Sequence, residues 1–438
     1  MASLDLLMFL TLVLLLLAGY PVAFTLGGVA LVFGFLGFGM DFFSLLPLRL
    51  WGRMTSAILV AVPLFVFMGV MLERSGIAEE LLETMALLFG RLRGGLAVSV
   101  VVVGALLAAS TGIIGATVVT MGLIALPVMI RKGYQPELAT GTIAASSTLG
   151  QIIPPSIVLV ILGDIMQISV GDLYAGSILP GLILVLLYVL YILVVALLRP
   201  SIAPGVAREE LAAIGRKELW IRVAKALFPP SVLIVAVLGT MFLGIASPTE
   251  AAAMGAFGAF LLALGKGKFN YQMLKEVVES TTRLSSMVFM ILLGATAFGL
   301  VFRGLGGDEM VRSFLLGLGR GYWGILGIVM GVLFILGFFL DFIEIAFIVL
   351  PILTPILKEI GFDPLWFAVL IAVNFQTSFL TPPFGFALFY LKGVCPPEVT
   401  TGHIYRGIVP FVALQLMGLV SVILFPSLAT WLPRIIFK

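Results

Sequence analysis

LPVMIRKGYQPE (126–137) followed by LGQIIPPS (149–156), and TPILKEIGFDPL (354–365) followed by SFLTPPFG (378–385), are two copies of one pattern. Pro127, Gly133, Pro136, Pro154 and Pro155 recur as Pro355, Gly361, Pro364, Pro382 and Pro383, each pair 228 residues apart (355 less 127). The register extends upstream. Pro21 and Gly28 match Pro248 and Gly255 at 227, and Gly90 and Arg91 match Gly319 and Arg320 at 229. A duplicated unit with interrupted helices in an apolar chain is a transporter signature, because two units can rock around one shared site.

Composition sets the class. Of 438 residues, 61% are hydrophobic and 11% charged, and the mean hydropathy is +1.23. A soluble domain carries roughly 25% charged residues, so most of this surface must face lipid or other membrane helices. The longest polar stretch, 199–225, has room for a loop and one surface helix. The single Cys395 excludes an internal disulfide, and the lone His403 sits in a polar turn with a structural reading. A net charge of +3, with no basic face interleaved with aromatics, gives no sign of nucleic-acid binding. The apolar run that starts at Leu4, beside Asp5, has no basic leader and no cleavage site, so it reads as a first span.

A bilayer core takes about 20 apolar residues per helix. On that ruler the first half offers spans at 4–19, 22–39, 55–72, 138–163 and 174–198, and the second at 227–243, 251–264, 284–302, 365–391 and 407–425. One segment in each half does not fit. Residues 94–130 carry no charge, are too long for one helix, and break at Ser110, Thr111 and Gly112. They read as a re-entrant hairpin, or as two thin spans with a buried turn. Residues 322–357 hold the equivalent place, with Asp341 and Glu344 near their middle. The expected organisation is therefore a first repeat at 1–200, a cytoplasmic connection at 201–225 and a second repeat at 226–438. Five spans is an odd number, so the second copy should be inverted. Most of the 25 Lys and Arg fall on one side if 199–225 is cytoplasmic. The positive-inside rule then puts both termini outside, the first hairpin opening inward and the second outward.

Polar chemistry clusters at the breaks. Ser146, Ser147, Thr148, Gly150 and Gln151 precede Pro154 and Pro155, and Asn374, Gln376, Thr377, Ser378 and Thr381 precede Pro382 and Pro383. Proline removes a helix N–H and clashes with the preceding turn, which frees carbonyl oxygens beside hydroxyl and amide groups. Such oxygens suit a small cation such as Na⁺, and the resumed helix N-terminus suits an anion. The alternative is a pair of kinks packed by their neighbours. Asp341 and Glu344 inside an apolar segment are costly to insert, so they should face a cavity or a partner. They are open to three readings: a cation site, a proton site, or caps on local N–H groups. Ser247, Pro248, Thr249 and Glu250 read as a structural capping box. No His or carboxylate cluster at catalytic spacing supports a membrane enzyme.

With its duplicated Gly-x-x-Pro and Pro-Pro segments, and with GIASPTEAAAMGAF (244–257), LDFIEIAFIVLP (340–351) and NFQTSFLTPPFGFALFYLKG (374–393), the chain resembles the large membrane subunit of the tripartite ATP-independent periplasmic (TRAP) transporters. The resemblance covers essentially the whole length. It implies an all-α polytopic membrane protein of the elevator-type ion transporter superfamily, placed in the bacterial inner membrane. It also implies Na⁺-coupled import of an organic acid anion, with Na⁺ the coupling ion and no other cofactor. Implied partners are a periplasmic substrate-binding protein and a small four-helix membrane subunit, expected as a separate polypeptide because no four further spans precede Leu4. Carried over by position, Ser110, Thr111 and Gly112 match the first hairpin tip, and Ser147, Thr148, Gly150 and Pro154 the first break. Asp341 matches the acidic second hairpin, and Asn374, Thr377, Thr381 and Pro382 the second break. The Na⁺ candidates are Ser110, Thr148, Gly150, Asp341, Asn374 and Thr377. A stand-alone dicarboxylate or ion antiporter of the same architecture is the alternative. Two features depart from the common pattern. Ser146 and Ser147 stand where many relatives have a glycine pair, and 199–225 is long, which points toward bulkier carboxylates.

Overall fold

Gly133 and Gly361 show why the two copies fold alike. The computed structural model describes residues 4–90, 92–111, 114–205, 215–267, 269–382 and 385–437, without the side chains of 41, 42, 108–111 and 216. At Gly133 (φ +81) and Gly361 (φ +95) the backbone is left-handed, where glycine carries no steric cost. The same hydrogen-bond pair closes both preceding helices. Gly133 N donates to Ile130 O and Tyr134 N to Met129 O; Gly361 N donates to Lys358 O and Phe362 N to Leu357 O. This is the Schellman arrangement. Three residues on, Pro136 and Pro364 occupy the first turn of the next helix, where the missing N–H costs nothing.

All described regular structure is helical. The first half runs α1 (Leu4–Leu17), α2 (Val22–Phe38), α3 (Leu45–Met54), α4 (Ala61–Arg74), α5 (Ile77–Phe89), α6 (Gly95–Thr111), α7 (Ile114–Arg131), α8 (Pro136–Thr148), α9 (Ile157–Met166) and α10 (Val170–Leu198). The second runs α11 (Arg216–Phe242), α12 (Pro248–Gly265), α13 (Tyr271–Gly304), α14 (Gly307–Gly317), α15 (Gly321–Leu336), α16 (Phe342–Ile360), α17 (Pro364–Leu380), α18 (Phe386–Val394), α19 (Thr401–Leu424) and α20 (Ser427–Ile436). The element order repeats. The pair α3 and α4, bent by 57°, takes the place of the single 34-residue helix α13. The segments 94–130 and 322–357 are helical hairpins, α6 with α7 and α15 with α16, and each pair packs arm against arm.

Six described helices are long and apolar enough to cross a membrane alone, or seven if the bent pair is one span. Several others are too short because they are halves of broken spans. Helix α11 starts at Arg216, so the end of the polar segment is helical. Of the basic residues used for orientation, Arg91, Arg208 and Lys268 lie outside the described residues.

Burial separates two groups of helices. Every residue of α9, and every residue of α8 from Leu138 onward, is buried, as is α17 from Trp366 to Leu380. Helices α2, α11 and α12 instead expose Phe24 (70%), Phe228 (69%) and Phe257 (63%), the surface of an element solvated by lipid. The outer group is cinched by glycines: a Cβ on Gly294 would lie 2.5 Å from Ala23 O, where α13 crosses α2. Small residues at such crossings let backbones approach, the main source of helix association where lipid removes a hydrophobic drive. The interrupted helices therefore sit inside the protein, where exposed backbone can be satisfied.

Candidate functional site

The first break is built locally. Helix α8 tightens into a 3-10 turn at Leu149–Gln151, Pro154 and Pro155 follow, joined by a cis bond, and α9 starts at Ile157. Ser156 spans the gap, its Oγ donating to Gln151 O at 3.0 Å, and Tyr174 Oη donates to Ser156 O at 3.2 Å. In the second break α17 ends at Leu380, Thr381 N donates to Ser378 O, and α18 resumes at Phe386. A Cβ on Gly385 would stand 2.8 Å from Phe379 O, so the chain can turn back this tightly only with glycine there.

The hydroxyls flanking the breaks are turned into their own helices. Ser147 Oγ donates to Ile143 O (2.8 Å), Thr148 Oγ1 to Ala145 O (2.9 Å), Thr377 Oγ1 to Val373 O (3.0 Å), Ser378 Oγ to Phe375 O (2.8 Å) and Thr381 Oγ1 to Thr377 O (2.7 Å). Each hydroxyl keeps lone pairs free to accept. Asn374 Nδ2 donates to Met330 O at 2.9 Å, tying the second broken helix to the second hairpin. Gly150 lies in the 3-10 turn and Pro382 in the turn after α17. The backbone of Ser110 and Thr111 ends α6; their side chains, with Gly112 and Pro383, lie outside the described residues.

Asp341 and Glu344 form a capping box at the start of α16. Asp341 Oδ1 accepts from Phe342 N (2.8 Å), and Glu344 Oε2 accepts from Asp341 N (3.0 Å). His403 likewise serves a structural cap, its Nδ1 accepting from Thr400 N. Ser247 and Glu250 make the box their sequence predicts.

Both hairpins and both breaks open onto one cavity of about 290 Å³. Its wall includes Ile114 and Gly115 at the start of α7, Ile157 at the start of α9, Phe342 to Glu344 at the start of α16, and Phe386 at the start of α18. Four helix N-termini thus face one space, with Asp341 beside them and Tyr390 and α13 closing the side. Aligned dipoles make such ends attractive to anions, although at α16 the Asp341–Glu344 capping box already occupies first-turn N–H groups. The polar residues of the breaks, Thr148, Asn374 and Thr377 among them, do not line this cavity. A larger cavity of about 410 Å³, between α1, α14 and the second hairpin, is lined only by apolar side chains and has no group to orient an ion.

Gln151 and Gln376, which the sequence places at the two breaks, are both buried with no side-chain amide partner among the described residues. Each unmet amide group costs about 1–3 kcal/mol. Sequence reading missed two contacts. Gln415, 267 residues from Thr148, donates Nε2 to its Oγ1 at 3.3 Å. Asp164, 3% exposed at the end of α9, pairs with Arg53 (3.2 Å) and accepts from Ser56 (3.1 Å), joining α9 to the stretch that begins at α3. An acid at the end of an apolar run was the only signal for that last contact.

Residues 9–428 match the family model described as the Tripartite ATP-independent periplasmic transporter, DctM component. The chain belongs to this family. It is thus the TRAP large permease, a multi-pass membrane transporter and not an enzyme. A C4-dicarboxylate TRAP large permease of Pseudomonas aeruginosa is 32% identical over 91% of each chain. The sialic acid TRAP large permease of Vibrio cholerae is 28% identical over 96% of each. An isethionate TRAP permease of Oleidesulfovibrio alaskensis, named DctMQ, matches 84% of this chain with 57% of its own length, at 30% identity. Among solved structures the Alcanivorax borkumensis YdaH transporter shares the fold, with a TM-score of 0.61 at 15% identity over 98% of both chains.

Proposed function

We propose that this TRAP large permease imports an organic acid anion across the bacterial inner membrane, coupled to Na⁺. The observation that carries the reading is the cavity on which four helix N-termini converge. An acid group placed there meets backbone N–H donors from both repeats, so recognition needs no cationic side chain. Relatives are named for C4-dicarboxylates, sialic acid, ectoine and isethionate, molecules that share an anionic group and little else. That fits a site that reads charge through backbone, with finer selection in a periplasmic binding protein. A small four-helix membrane subunit completes the assembly.

Asp341 and Glu344 put negative charge at the rim of the same cavity, where a cation offsets their repulsion of the cargo. Oxygens of the two breaks, near Thr148, Gly150, Asn374 and Thr377, lie behind the cavity wall and would complete a Na⁺ site only once the broken segments shift toward Asp341. Cation binding then comes before anion binding, because it cancels the carboxylate field and braces the broken segments. In this reading the repeats are inverted, the first hairpin opens inward and the second outward, and the buried helices move as one body against the lipid-facing group.

Reconstitution of this chain with its partner subunits into liposomes tests the reading. Uptake of a labelled C4-dicarboxylate or sialic acid should require an inward Na⁺ gradient. Equal uptake in Na⁺-free buffer would remove the coupling.

A further inference from the structure

A second cleft, of about 310 Å³, lies apart from the transport cavity, where α10 ends and α8 and α19 begin. Its lining is divided. Arg199 caps the C-terminus of α10, and Arg406 stands in the second turn of α19; both are exposed. Leu138, Tyr191, Val195 and Pro410 make the rest of the wall largely apolar. The ion pairs among the described residues involve neither arginine. Among the described residues Glu137 is the one carboxylate lining the cleft, so two guanidiniums face one negative group there.

Depth decides what fits. Helix α10 has 29 residues, more than the roughly 20 that a bilayer core takes, so Arg199 at its end belongs at headgroup level, with Val195 one turn and Tyr191 two turns further in. A pair of guanidiniums at headgroup level thus sits above an apolar slot between three helices. A water-soluble anion would gain nothing from the slot, and a neutral lipid would gain nothing from the arginines. Basic pockets between membrane helices suit phosphate headgroups, and guanidinium forks match phosphate oxygens.

We propose that this cleft binds an anionic phospholipid, its phosphate on Arg199 and Arg406 and one acyl chain along Leu138, Tyr191 and Val195. The site is independent of the transport cavity. Because α8 is the first interrupted helix and α19 packs on it, the lipid braces the start of a moving element.

Native mass spectrometry of the detergent-purified chain, titrated with phosphatidylglycerol or phosphatidylcholine, tests this. The wild type should retain phosphatidylglycerol with about tenfold preference, and Arg199→Gln with Arg406→Gln should abolish the preference. Arg434→Gln, at an arginine outside the cleft, should leave it intact. Val195→Trp, which fills the slot and spares both arginines, should also reduce retention. Excess inorganic phosphate should not displace the lipid. Equal retention of both lipids by the wild type, unchanged preference in the double variant, or displacement by phosphate would each overturn the proposal.

Discussion

Asn374 Nδ2 donates to Met330 O at 2.9 Å, so the second broken helix is fastened to the first arm of the second hairpin by a buried side chain. Asn374→Ala removes that donor and leaves a void. A loss of about 1–3 kcal/mol follows, read as a lower Tm of the purified protein. Asn374→Asp keeps the shape but loses the donor and should be at least as destabilising. An unchanged Tm in both would mean that the hairpin is held by packing alone.

Asp341→Asn and Glu344→Gln separate cap from charge. Each amide oxygen can still accept the N–H that the carboxylate now accepts, from Phe342 and Asp341 respectively. The capped helix should therefore survive, with a near-wild-type Tm, while the Na⁺ concentration for half-maximal uptake rises several-fold, about 1 kcal/mol or more per lost charge. Wild-type Na⁺ dependence in both variants would reduce the pair to a structural role.

Gln151 and Gln376 offer an opposite signature. Leucine at either position removes two unpartnered amide atoms from a buried site. Stability should stay level or rise by about 1 kcal/mol, whereas uptake should fall if these amides serve the cargo or its ion. Full uptake in the leucine variants would show that neither amide takes part.

Gly407→Ala tests the crossing of α8 and α19. A Cβ there would sit 2.1 Å from Glu137 O, and one on Gly141 2.2 Å from Gly407 O. Backbone cannot yield as a side chain does, so alanine should cost about 1–3 kcal/mol in a denaturation measurement. Gly402→Ala, whose nearest neighbour is Thr400 Oγ1 at 3.6 Å, should be neutral by comparison.

Much of the fold was readable because its punctuation is chemical. Gly133 and Gly361 must adopt positive φ, and Pro136 and Pro364 must start helices, whatever surrounds them. Helices α3, α5, α14 and α20 escaped the hydropathy ruler because they have only 10 to 13 residues. Half of the site was readable in the same way. Asp341 and Glu344 stood out as charges in an apolar run and the duplication pointed to one shared site, but only the fold gave Ile157 and Phe386 as their neighbours in one cavity.

The sequence by itself determined a duplicated, membrane-embedded helical chain with two proline breaks and, in each half, one segment that does not fit a single span, since backbone sterics and the cost of charge in lipid act locally. Tertiary structure alone decided which helix starts face one another, that Gln415 reaches Thr148, and that Arg53 meets Asp164 across 111 residues. The reach of Gln415 to Thr148 depends on how tightly α8 and α19 cross, and Gly141 and Gly407, far apart in the chain, permit that close approach.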